Sequence, residues 1–162
     1  MPQELLGRPA YVGVKCHHDD KGGYSVWIPS DWYPLELKRN INGLMFSPFK
    51  DDLNTSILAE KRKLKYVTTE KDMPFLRDAF KEGVMALPGV ELEFWDESFS
   101  KTVNVFDARF TFLDGETRRK RWVRNIYWGE GQLILIAQGK DVETFDYWQG
   151  MFYNIMVTAS VV

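Results

Sequence analysis

The chain has 162 residues, of which 44% are hydrophobic and 27% charged, a composition that buries a core of ordinary size in a single domain spanning 1–162. A net charge of -2 gives no global field for nucleic acid or an anionic membrane. One cysteine makes no internal disulfide, and the longest apolar runs, such as LILIA, are far too short to cross a bilayer.

Residues 1–9 read as a loose lead-in. They lack the basic start and long apolar stretch of a signal peptide, so a soluble cytoplasmic protein is expected. YVGVKC (11–16) and YSVWIP (24–29) read as strands joined through HHDDKGG, whose glycines accept positive φ and suit a hairpin. SDWYPLEL, bracketed by Pro29 and Pro34, is expected to be extended or irregular. GLMFSPF (43–49) reads as a short strand and DDLN (51–54) as a turn. SILAEKRKLKYV (56–67) reads as a strand, because no cap precedes a helix-period stripe.

The first helix is clear. Thr69 and Asp72 have capping-box spacing; Met73, Leu76, Phe80, Val84 and Leu87 recur at three and four; Pro88-Gly89 stops the run. VELEFW (90–95) alternates Val90, Leu92 and Phe94 against Glu91, Glu93 and Trp95, as a strand does. KTVNVFDARFTFL (101–113), the Asp114-Gly115 turn and ETRRKRWVRNIYW (116–128) form a hairpin, and QLILIAQ (132–138) returns after GEG. That last strand is apolar on both parities, which predicts helices on both faces of the sheet. Asp141 caps a second helix with the stripe Phe145, Trp148, Phe152 and Ile155. The expected fold is α+β: an antiparallel sheet of roughly six to eight strands with two main helices packed on it.

KCHHDD (15–20) gathers Cys16, His17, His18, Asp19 and Asp20, including the only cysteine and both histidines. Thiolate and imidazole suit zinc or copper. Structural zinc sites, however, draw ligands from two separated pairs, and adjacent residues on a strand point to opposite faces. A strand end leading into a polar turn is the expected reading, with Cys16 a small buried hydrophobe. Nothing resembles a nucleophile elbow or a phosphate-cradling glycine loop, so no catalytic residues and no cofactor are assigned.

RRKRWVR (118–124) puts Arg118, Lys120, Trp122 and Arg124 on one strand face and Arg119, Arg121 and Val123 on the other. Asp107, Asp114, Glu116 and Glu130 lie near enough to neutralise part of this charge, so a solvated strand face is expected rather than a nucleic-acid site. EKRKLK (60–65) would extend it into a positive patch if the two strands were neighbours. Trp27 and Trp95 have the parity opposite to their apolar neighbours, whereas Trp128 shares a face with Trp122 and Ile126. Rings left partly exposed beside arginines would make a ligand cleft or docking surface, for which Trp95, Arg118, Lys120, Trp122, Arg124 and Trp128 are the candidates.

Four segments in this order, YSVWIPSDW (24–32), ALPGVELE (86–93), ARFTFLDGETRRKRWV (108–123) and the closing LILIAQGKDVETFDYWQGMFYNIMVTAS, resemble the PsbP-like superfamily over most of the chain. That fold is shared by a photosystem oxygen-evolving subunit, a Ran-binding nuclear transport regulator and several bacterial lipoproteins. The resemblance implies a PsbP-like α/β/α layered sandwich with an inward-packing Trp32. It implies a non-catalytic binding or accessory module that acts through a protein partner or as a homo-oligomer. It carries over no functional residues, and no lipobox is visible to imply an envelope location. The alternatives are a small-molecule or anion-binding domain on the aromatic and basic hairpin face, and a metal-dependent activity at the Cys16–Asp20 turn.

Overall fold

The structure, a computed structural model, describes residues 9–10, 12–19, 21 and 23–161; Asp20 and most of the lead-in lie outside these. The strands are β1 (Val14–Asp19), β2 (Tyr24–Pro29), β3 (Tyr33–Pro34), β4 (Gly43–Ser47), β5 (Ser56–Lys63), β6 (Glu91–Phe99), β7 (Asn104–Asp114), β8 (Thr117–Trp128), β9 (Gly131–Gln138) and β10 (Ser160–Val161). The helices are α1 (Met73–Met85) and α2 (Val142–Thr158). Seven strands form one antiparallel sheet in the order β3-β4-β5-β9-β8-β7-β6, within the expected range. The opening hairpin does not join it: β1, β2 and β10 make a second, three-stranded sheet.

The helices start where capping chemistry allows. The Asp141 carboxylate accepts the Thr144 N–H at 2.7 Å, and the Thr69 N–H donates to Asp72 at 2.9 Å in the short turn ahead of α1. α2 lays Phe145, Phe152, Ile155 and Met156 on one face of the large sheet, against Leu133, Leu135 and Ala137. Tyr24, Val26 and Ile28 of β2 and the inward-packing Trp32 join the same core. α1 covers the opposite face, where Val84 and Phe80 meet Ala108, Phe110, Val123, Ile134 and Ile136. The doubly apolar β9 is thus clad on both sides, as its sequence predicts. Each large apolar side chain so buried contributes about 1.5–3 kcal/mol.

Two strands differ from expectation. β1 begins at Val14 and runs through Asp19, pairing with β2 up to the Asp19–Tyr24 pair. His17 to Asp19 are therefore strand residues rather than turn residues, and Cys16 is a strand residue as expected. β6 breaks its alternation at a bulge between Leu92 and Phe94. The extra residue reverses parity beyond it, so Trp95, not Phe94, turns toward α1.

Candidate functional site

The basic run of β8 is woven into the structure rather than spread on its surface. Arg119 and Lys120 are only 9% and 7% exposed, which overturns the solvated face expected for them. Arg119 donates through Nε to the Gly139 carbonyl at 3.1 Å and through Nη2 to the Asn54 carbonyl at 2.9 Å, and it meets Asp114 at 3.2 Å. Lys120 reaches Asp146 of α2 at 2.8 Å and Glu93 at 3.1 Å. Arg118 donates to Thr111 and the Gly89 carbonyl, Arg121 holds Gln138 with two N–H groups, and Arg124 donates to the Met156 carbonyl. β9 separates β8 from β5, so the two basic stretches do not merge into one patch.

On the α2 side of β7 and β8, Trp122 is buried and its indole N–H donates to Asp107 at 3.0 Å. Burial is the main influence on the Asp107 carboxyl and pushes its pKa up, against the downward pull of Arg124 and the indole. Arg109 lies over the rings of both Phe94 and Trp122 and 3.5 Å from Glu93. Trp95 faces the other way, under α1, with its ring 5.2 Å from Phe80. Trp128 stands half-buried at the far end of β8. The six candidate surface residues therefore do not meet in one place. Lys120, Trp122 and Arg124 share a largely internal polar cluster, Arg118 closes the Gly89 loop, and Trp95 and Trp128 lie apart from them.

In the opening motif, Cys16 Sγ and His18 Nε2 are 3.4 Å apart on one face of β1. His17 lies on the other face, its ring 4.8 Å from Phe46. Burial, and then the Lys15 charge, push the His17 pKa down. The Asp19 carboxylate accepts the Lys21 N–H. No three metal-ligating side chains converge among the described residues.

A groove of about 180 Å³ runs between the small sheet and α2, lined by Val14, Trp27, Pro29, Met151 and Ile155. Trp27 is 41% exposed and Val14 39%. Only the odd parity of Trp27 hinted at this groove. Its other wall comes from a helix more than a hundred residues away, which no local pattern announces.

No helix among the described residues is long and apolar enough to cross a membrane. No protein-family model and no curated protein sequence matches the chain. Solved structures do match it in shape. Cyanobacterial PsbP (CyanoP) from Synechocystis sp. PCC 6803 is 13% identical, with 97% of this chain and 99% of that one superposed at a TM-score of 0.65. LpqN, involved in cell envelope biogenesis of Mycobacterium tuberculosis, is 17% identical over 92% of this chain and 90% of its own, also at 0.65. The Saccharomyces cerevisiae Ran-binding protein Mog1p is 10% identical over 93% and 96%, at 0.58. At such identities the likeness is one of fold, not of activity. With its seven-stranded antiparallel sheet clad by a helix on each face, the chain has the PsbP-like fold.

Proposed function

We propose that the chain is a single-domain, cytoplasmic, non-catalytic binding module that works through protein–protein contact at the open edge of β1 and the apolar groove beside it. Exposed sheet edges recruit strands unless they are blunted. β6 carries a bulge and the acidic residues Glu91, Glu93, Asp96 and Glu97, and β3 is two residues long and ends in Pro34. β1 is six residues long, has no bulge and no proline, and pairs on one side only among the described residues. That straight, proline-free edge, with the Val14–Trp27 groove alongside, is the observation that carries the reading. An extended partner segment would add to β1 through its backbone and seat an apolar side chain in the groove. Lys15 near one end and Asp19 near the other suit a strand with the opposite order of charges, which an antiparallel second copy of β1 also has. The Ran-binding Mog1p, which shares the fold, is named for a protein partner and lends support.

A photo-crosslinking residue placed at position 18, with position 143 of α2 as control, tests this in cells. The protein captured at 18 but not at 143 is then purified and rebound to the pure chain. Slowed amide exchange over Lys15 to Asp19, with binding at least about tenfold weaker for Trp27→Ala, is the expected result. A captured second copy showing the same protection identifies the partner as the chain itself. No specific adduct at 18, or binding that leaves β1 exchange unchanged, overturns the reading.

A further inference from the structure

The turn between β8 and β9 stands between two adjoining recesses, of about 320 and 450 Å³, which share Trp128 and Gly129 as a common wall. Both volumes fall in the range of ligand pockets. The wall is rigid. Gly129 takes the left-handed conformation, at φ 51°. Its carbonyl accepts the Thr68 N–H at 2.9 Å and the Thr68 hydroxyl at 3.2 Å. A Cβ on Gly131 would lie 2.9 Å from the Trp128 ring, so the indole rests directly on the turn backbone.

Lys21, Lys61 and Lys63 line the smaller recess. Lys61 and Lys63 project from the same face of β5, and Lys21 comes from the turn between β1 and β2. None of the three has an ion-pair partner among the described residues, whereas Lys120 and Arg124 on the α2 side of β8 both do. Glu130 is the one carboxylate in this lining, which leaves an excess of two positive charges. A phosphate group carries about that charge with the opposite sign. The larger recess is mixed: Val67, Val103 and Val161 with Thr68, Thr102 and Lys101. It offers room for an organic body beside the indole.

We propose that this cleft binds an organic phosphate, its anionic head among Lys21, Lys61 and Lys63 and its body in the larger recess against Trp128. The site is separate from the β1 edge and does not depend on the partner-binding reading. It shares only Trp128 with the hairpin face that the basic run suggests, where Lys120 and Arg124 are already paired.

The test follows the Trp128 indole and the Gly129 and Gly131 amides by NMR at fixed ionic strength. The probes are inorganic pyrophosphate and adenosine diphosphate. Adenosine diphosphate is expected to shift all three signals saturably and to bind more tightly than pyrophosphate. Lys61→Gln/Lys63→Gln should weaken it at least about tenfold, or about 1.4 kcal/mol. Lys38→Gln/Lys71→Gln, which removes the same charge elsewhere, should not. Spectra of both double variants first establish that they are folded. No saturable shift with either probe overturns the site. Equal weakening in the two double variants overturns it in favour of diffuse charge, and equal affinity for both probes overturns the role given to the larger recess.

Discussion

Replacing Arg119 by Ala separates a structural basic run from a surface one. The side chain is 10% exposed and ties three loops together through the Gly139 carbonyl, the Asn54 carbonyl and Asp114. Gly139 is buried, so its carbonyl loses a charged donor that water does not readily replace, at a cost of about 1–3 kcal/mol. The Asn54 carbonyl belongs to an exposed residue and contributes about 1 kcal/mol. The Asp114 side chain is 62% exposed, and its ion pair is screened to between about 0 and 1 kcal/mol. The expected loss is about 3 kcal/mol. In urea, with a slope of about 2 kcal/mol per molar, the unfolding midpoint should fall by about 1.5 M. Arg118→Ala, which loses bonds to the buried Thr111 hydroxyl and the exposed Gly89 carbonyl but breaks no ion pair, should cost about 1–2 kcal/mol. A loss for Arg119→Ala below about 1 kcal/mol, or no larger than for Arg118→Ala, would refute the argument and return the run to the surface.

Asp107→Asn tests the buried carboxyl. Burial raises its pKa above the ordinary 3.8, so its contribution to stability is present below that value and is lost as pH climbs through the folded-state value. The variant should therefore gain on the wild type between about pH 3.5 and pH 7 in thermal melts; an unchanged or narrowing gap means that the Arg124 pair outweighs burial. Gly150→Ala in α2, where a Cβ meets nothing within 4 Å, should stabilise by about 0.5–1 kcal/mol. Gly139→Ala places a Cβ 2.7 Å from the Phe145 nitrogen and 2.8 Å from the Asp141 oxygen, and should destabilise in the same urea assay. Asp141→Ala removes the α2 cap and should lower stability by about 1 kcal/mol, seen as a lower midpoint.

The elements whose signal is local were readable in the sequence. The stripe from Met73 to Leu87, the Asp114-Gly115 turn and the doubly apolar β9 are each decided by neighbours within a few residues, and each stands where the pattern puts it. The bulge in β6 escaped because no glycine marks it and the alternation of Val90, Leu92 and Phe94 runs straight through it. The fate of the basic run escaped for a different reason. Lys120 is neutralised by Asp146, 26 residues away, and by a glutamate that the bulge delivers; neither pairing has a sequence period. The opening hairpin read correctly as a hairpin, but nothing local marks its separation from the large sheet or its pairing with β10 from the other end of the chain.

β9 has a consequence for how the protein comes apart. Leu133, Leu135 and Ala137 belong to the core under α2, and Ile134 and Ile136 pack with the core under α1. A strand shared in this way couples the two layers, because opening either one strips packing from the same strand, which β5 and β8 hold at the centre of the sheet. Its amides should exchange with solvent only through global unfolding, while those of the edge strand β6 exchange through local fraying. The two layers then melt as one cooperative unit, and a substitution that loosens packing beneath α1 lowers the protection of amides beneath α2 by the same free energy.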